Sequence, residues 1–263
     1  MHSYVVILSM RSAIMLNDIS KRLSELRLYG IADTIDVRLE SAYKSKSTYE
    51  ELLLSILDDQ YEYQGNKALS RRIKTAKFDE YKSFDSYETM GFSIEVNSII
   101  NELKTGRFLN NKNHVIIMGP VGTGKTHLSQ ALGLLACQQG KKVCFIRAND
   151  LTNKLYQSKA DDSWLKAFNY YSKFDVLILD DFGLKSLSAE QSTDLYDLIA
   201  SIHIKSSLII TTNRNIQGML EVFHDPVMAN AAMDRILSKS YKVLLQGESY
   251  RKRFMPTIDK TSI

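Results

Sequence analysis

Two kinds of hydrophobic spacing divide this chain. Between Leu16 and about Lys77 the apolar residues recur at helical intervals: Leu16, Ile19, Leu23 and Leu26 share one face, and Leu52, Leu53, Ile56 and Leu57 form a second stripe. The spacing predicts a small all-helical N-terminal domain over residues 16–80. Gly30 is the expected interruption of its first helix, and the polar run from Ser45 to Thr48 separates later ones. Thr48 and Glu51 match the pattern in which a hydroxyl and a carboxylate cap a helix start reciprocally. Beyond Asn113 short apolar runs alternate with helical stretches: Val115 to Met118, Val143 to Ile146, Val176 to Leu179, Leu208 to Thr212 and Val243 to Leu245. Such alternation predicts an α/β fold with a five-stranded parallel sheet covered by helices on both faces. Phe78 to Asn113 reads as a mixed connector with Gly91, Gly106 and a turn at Asn110 to Asn113, so the second domain is assigned residues 81–263. Residues 1–15 read as an extension or tail ahead of the first amphipathic helix.

Composition narrows the picture in places. At 263 residues and 44% hydrophobic, the chain can bury a substantial core. A formal net charge of +4 permits an anionic partner without demanding one, so local clustering decides. Between Lys67 and Lys77 there are five cations and no acid. Helical spacing places Lys67, Arg71 and Lys74 on one face and Leu69, Ile73 and Ala76 on the other. That is either a solvated basic face or a surface for nucleic-acid phosphates, contacts that position without reading sequence. No zinc-finger, aromatic RNA-binding or helix-turn-helix signature points to base-specific readout. Cys137 and Cys144 have neither the pairing nor the spacing of a zinc site and read as core thiols, which suits a reducing cytoplasm. Tyr4 to Leu8 lacks the flanks of a signal peptide, and no run approaches the roughly 18 apolar residues of a membrane span, so no membrane partner is expected.

The sharpest chemistry lies after the first apolar run. Gly119, Pro120, Val121, Gly122, Thr123, Gly124, Lys125 and Thr126 fit the phosphate-loop template G-x-x-x-x-G-K-[ST], with a strand before and a helix, Lys125 to Gln139, after. Small residues let successive backbone N–H groups surround a β-phosphate, Lys125 reaches the β/γ oxygens, and the Thr126 hydroxyl is a ligand for Mg²⁺. With His127 these residues are the expected nucleotide-binding set, ATP and Mg²⁺ the expected cofactors. The run Asp175-Val-Leu-Ile-Leu-Asp180-Asp181 is an apolar strand ending in two carboxylates, where a sheet presents its C-terminal edge to ligand. Asp180 is assigned to Mg²⁺, and Asp181 to the water that attacks the γ-phosphate. Asn213 ends the next apolar strand and is either an amide aimed at the γ-phosphate or a turn residue. Arg235 is either a solvated helical arginine or a finger reaching a neighbouring subunit's phosphate, and Arg251 either a phosphate sensor or part of a basic tail.

Taken in order, GPVGTGKTHL, LILDDFG, TTN, DPVMANAAMDRI and GESYRKR resemble the AAA+ ATPases of the IstB/DnaC group, and Leu23 to Ala32 is similar to the opening of IstB-type insertion-sequence helpers. The resemblance runs from Leu16 to Arg253. It implies an AAA+ P-loop NTPase fold, with Asn213 as sensor 1, Arg235 as the trans arginine finger and Arg251 as sensor 2. It further implies an ATPase that forms ATP-dependent homo-oligomers on double-stranded DNA and assists the transposase of the same element. A replicative helicase loader and a nucleotide-dependent scaffold with negligible turnover are the alternatives. The departure from most AAA+ ATPases is Asp181, where they carry Glu.

Overall fold

Parallel strands that must be covered on both faces need apolar residues at nearly every position, and the central runs of this chain have them. In the computed structural model, which describes residues 15–87, 92–247 and 249–250, the chain divides into two compact units, residues 1–71 and 72–263. The extension before Met15 and the basic run Arg251 to Arg253 lie outside the described residues.

The first unit is helical, as its spacing predicts. It holds α1 (residues 15–25), α2 (Tyr29–Ser45) and most of α3 (Tyr49–Ala76). The break between α1 and α2 falls at Arg27, whose φ is 61°, and not at Gly30. Gly30 instead sits in the first turn of α2 and allows α3 to approach: a Cβ there would lie 2.6 Å from Tyr63 Cβ and 2.7 Å from the Asp59 carbonyl oxygen. Gln60 Oε1 accepts the N–H groups of Gly30 (3.0 Å) and Ile31 (3.3 Å), partners that the first turn of α2 otherwise lacks. Asp59 accepts two bonds from the Arg38 guanidinium (2.8 and 2.6 Å) and one from Thr34 Oγ1 (2.6 Å), joining the two helices again. The reciprocal cap at α3 forms: Glu51 Oε2 accepts the Thr48 N–H at 2.8 Å, and Thr48 Oγ1 accepts the Glu51 N–H at 3.2 Å. Leu53 and Leu57 stay more than half exposed, so part of the apolar stripe is uncovered.

The second unit carries five parallel strands, β1 (His114–Met118), β2 (Val143–Arg147), β3 (Val176–Phe182), β4 (Ser207–Thr212) and β5 (Ser240–Leu244), in the order β2-β3-β4-β1-β5. The connector contains a 3₁₀ turn (Phe84–Ser86), α4 (Ile94–Lys104) and α5 (Arg107–Asn110). Then follow α6 (Lys125–Gln138), α7 (Ala148–Gln157), α8 (Trp164–Ser172), α9 (Ala189–Ile202), α10 (Ile216–Leu220) and α11 (Pro226–Leu237). Starts are chemically marked: Ser188 and Gln191 form a capping box at α9, and Asp225 accepts the Met228 N–H at α11, with Pro226 in its first turn. β4 is buried along its whole length and β1 up to Met118, placing the core on both sides of the sheet's centre. Both cysteines are buried free thiols, pushed up to about 11 by desolvation. No helix among the described residues is long and apolar enough to cross a membrane.

Candidate nucleotide site

The loop from Gly119 to Gly124 joins β1, the strand between β4 and β5, to α6, so it opens at the C-terminal edge of the sheet, where open α/β sheets take ligands. Gly122 (φ 83°) and Gly124 (φ 89°) hold left-handed backbone that a side chain would strain, immediately before the first turn of α6. Lys125 is buried, with Nζ donating to the Pro120 carbonyl at 2.7 Å. Thr126 Oγ1 lies 3.1 Å from each oxygen of Asp180, which joins the phosphate loop to the end of β3.

Asp180 is 2% exposed. Burial pushes its carboxyl up from the ordinary aspartate range; the Thr211 hydrogen bond pulls it down in part, and the charge of Asp181 pushes it up again. Thr211 Oγ1 donates to Asp180 Oδ1 at 2.6 Å and accepts the Asp181 N–H at 2.9 Å. Asp181 has φ 54° and interrupts the ladder: Leu179 pairs with Ile210 and Phe182 with Thr212, so Asp180 and Asp181 together face Thr211. This is a bulge of two residues against one, a device that re-aims side chains at the end of a strand. Asn213 is exposed immediately after β4, and the Gly119 N–H reaches the Thr212 carbonyl at 3.3 Å, bringing the ends of β1 and β4 together.

His127 turns to the connector: its Nε2 lies 3.1 Å from the Ser83 carbonyl oxygen and 3.2 Å from Ser86 Oγ, and its ring meets Tyr87 edge-on at 5.0 Å. Burial lowers its basicity. Tyr87 is 8% exposed beside Gly124, and its hydroxyl has no partner among the described residues. From the other end of the chain, the Tyr250 N–H donates to the Gly122 carbonyl at 2.9 Å. Sequence reasoning passed over Tyr87, Thr211 and Tyr250. A polar residue inside an otherwise apolar strand was the available signal for Thr211; for the other two, which reach the loop only through the fold, there was none.

The remaining candidates are dispersed. Arg235 is half-buried in α11, its guanidinium 5.1 Å from the centre of the Tyr196 ring and its Nη1 donating to the Ala231 carbonyl at 2.7 Å. Arg251 lies outside the described residues. In the first unit the Lys67 ammonium sits over the rings of Tyr29 (5.5 Å) and Tyr63 (5.8 Å). Arg71 and Lys74 are exposed on α3. Arg72, from the same basic run, donates Nε to the Cys137 carbonyl at 2.8 Å, meeting the carbonyl end of α6.

The Thr126 hydroxyl and Asp180 carboxylate form an oxygen-only donor pair beside the loop, which fits Mg²⁺, an ion bound through one or two protein oxygens, water and substrate phosphates. Among the described residues no cluster of three or more His, Cys, Asp and Glu side chains could hold a metal ion.

Sheet order, loop and carboxylate strand together define a P-loop nucleotide-binding protein of the AAA+ kind. Two solved structures share the fold: DnaI, with a TM-score of 0.53 at 19% identity over 64% of this chain and 89% of that one, and AMPPCP-bound DnaA from Aquifex aeolicus, with a TM-score of 0.54 at 21% identity over 66% and 53%. The chain belongs to the family of IstB-like ATP binding proteins, whose model matches residues 21–256. Among its relatives, a Mycobacterium tuberculosis (strain ATCC 25618 / H37Rv) protein named for ATP binding in an insertion sequence is 34% identical over 89% of this chain and 94% of its own. A Pseudomonas aeruginosa protein, named as the ATP-binding protein of insertion sequence IS21, is 29% identical over 90% and 89%.

Proposed function

We propose that this chain is an ATP-hydrolysing accessory protein of an insertion sequence, one that oligomerises on duplex DNA and assists the transposase of the same element. The observation that carries the reading is the Thr126–Asp180 pairing at the mouth of a glycine-turned phosphate loop, in a chain whose relatives are named for insertion sequences. The backbone N–H groups from Val121 to Thr126 would cradle the β-phosphate, and the Lys125 ammonium would leave the Pro120 carbonyl for the β/γ oxygens. Thr126 and Asp180 would hold Mg²⁺, which when bound neutralises charge developing on the phosphates. Asp181 would orient and polarise the attacking water, while Asn213 would aim its amide at the γ-phosphate. Arg235 and Arg251 would meet phosphate oxygens as finger and sensor, Arg235 from a neighbouring subunit.

The helical domain, residues 16–80, would select the client, and Lys67, Arg71 and Lys74 would contact DNA phosphates without reading bases. The test is duplex binding by the full chain, measured with and without ATP over a salt series. Affinity should need ATP, fall steeply with salt and vary little among unrelated sequences; replacing the three cations by Ala should flatten the salt slope by about 2–3. Salt-insensitive binding, or the same affinity without nucleotide, would count against it.

A further inference from the structure

Both aspartates assigned to the site meet one side chain from another strand, Asp180 through its carboxylate and Asp181 through its backbone N–H. Thr211 is fully buried in β4, where a hydroxyl needs partners for its proton and its lone pairs. It uses both capacities on the same short segment: the proton goes to Asp180 Oδ1 at 2.6 Å and a lone pair takes the Asp181 N–H at 2.9 Å. The second bond matters because the bulge withdraws the part-buried Asp181 from the ordinary ladder, and Thr211 gives its N–H the partner that the ladder does not. The first matters because Asp180 is shared between Thr211 and Thr126, so its carboxylate plane is fixed by donors on β4 and on α6.

We propose that Thr211 is a positioning residue of the nucleotide–metal site, setting the orientation of the Asp180 carboxylate and holding Asp181 in its left-handed turn. The inference rests on the nucleotide reading above. It also accounts for Asp at position 181. A φ of 54° is tolerated several-fold better by Asp than by longer or branched side chains, so here the backbone turn, anchored by Thr211, aims the second carboxylate. A valine, equal in shape and suited to a strand, would keep the packing and lose both hydrogen bonds; a serine would keep the bonds and lose a methyl group.

The experiment titrates Mg²⁺ into the full chain with a fluorescent ATP analogue, recording the half-saturating Mg²⁺ concentration and, with chelator present, the metal-free nucleotide affinity. Thr211→Val should raise the Mg²⁺ requirement roughly 10–100-fold, the usual cost of losing a group that orients a metal ligand, and leave metal-free affinity within about twofold. Thr211→Ser should stay within about threefold of the unsubstituted protein on both axes. A Mg²⁺ requirement unchanged in Thr211→Val, or raised as far in Thr211→Ser, overturns the role of Thr211 while leaving the nucleotide site standing. Should Thr211→Val not fold, Thr211→Ala, which also lacks the hydroxyl, is read on the same axis: a Mg²⁺ requirement raised tenfold or more supports the role and an unchanged one overturns it. An unsubstituted protein without Mg²⁺-dependent nucleotide binding overturns the nucleotide reading and this inference with it.

Discussion

Lys125 and Asp181 stand at the same sheet edge, and the different duties proposed for them should separate on substitution. Lys125→Ala removes the one loop side chain able to neutralise β/γ oxygens, and ATP affinity should fall about 100-fold or more by equilibrium titration. Asp181→Asn keeps the size and the left-handed turn but removes the base-like carboxylate, so ATP should still bind while turnover drops on the order of 10²-fold or more. Equal losses of affinity in the two variants would contradict these roles. At this scale the sequence was most legible for the loop, because fixed glycines and a lysine at fixed spacing follow directly from how a backbone wraps phosphate. It was less legible for His127, which stands beside the template yet spends its ring on Ser83, Ser86 and Tyr87. It could not expose the hydroxyl of Thr211, whose importance arises from a bulge on a different strand.

Helix joints show where pattern and structure part. The apolar strands were readable since burial on both faces leaves a continuous hydrophobic run, whereas Gly30 looked like a breaker and proved to be the point where two helices touch. A glycine that relieves a break and one that relieves a clash look the same in a single sequence. The joint between α2 and α3 also carries a pH signature. Asp59 is held down to about 2, from an ordinary value of 3.8, first by its hydrogen bond to Arg38 and then by that to Thr34. Because the folded value is the lower one, this stabilisation is present above about pH 4 and is lost as pH falls toward 2. Acid unfolding followed by helical circular dichroism should therefore show a loss over that window which Asp59→Asn removes, with the variant less stable at neutral pH. Identical acid profiles in the two proteins would mean that the Arg38–Asp59 pair contributes nothing across the joint.

Assembly belongs to the whole molecule. Within its own chain, Arg235 rests on Tyr196 and the Ala231 carbonyl, and the finger proposed above would have to leave both for another subunit's phosphate. A finger in trans requires turnover per subunit to rise with protein concentration, and Arg235→Ala should cut it on the order of 10³-fold. Mixing Arg235→Ala with Asp181→Asn subunits should restore part of it, because some interfaces then join an intact arginine to an intact carboxylate. No recovery in oligomers shown to be mixed would return Arg235 to a surface role. The central claim, that nucleotide held at this loop lets the protein assist a transposase, is tested most directly by strand transfer on duplex target DNA. A transposase of the same element would be assayed alone, with the full-length protein and ATP, and with Lys125→Ala and ATP. Stimulation by the unsubstituted protein alone is the predicted result; strand transfer indifferent to the protein, or stimulated equally by Lys125→Ala, would contradict it.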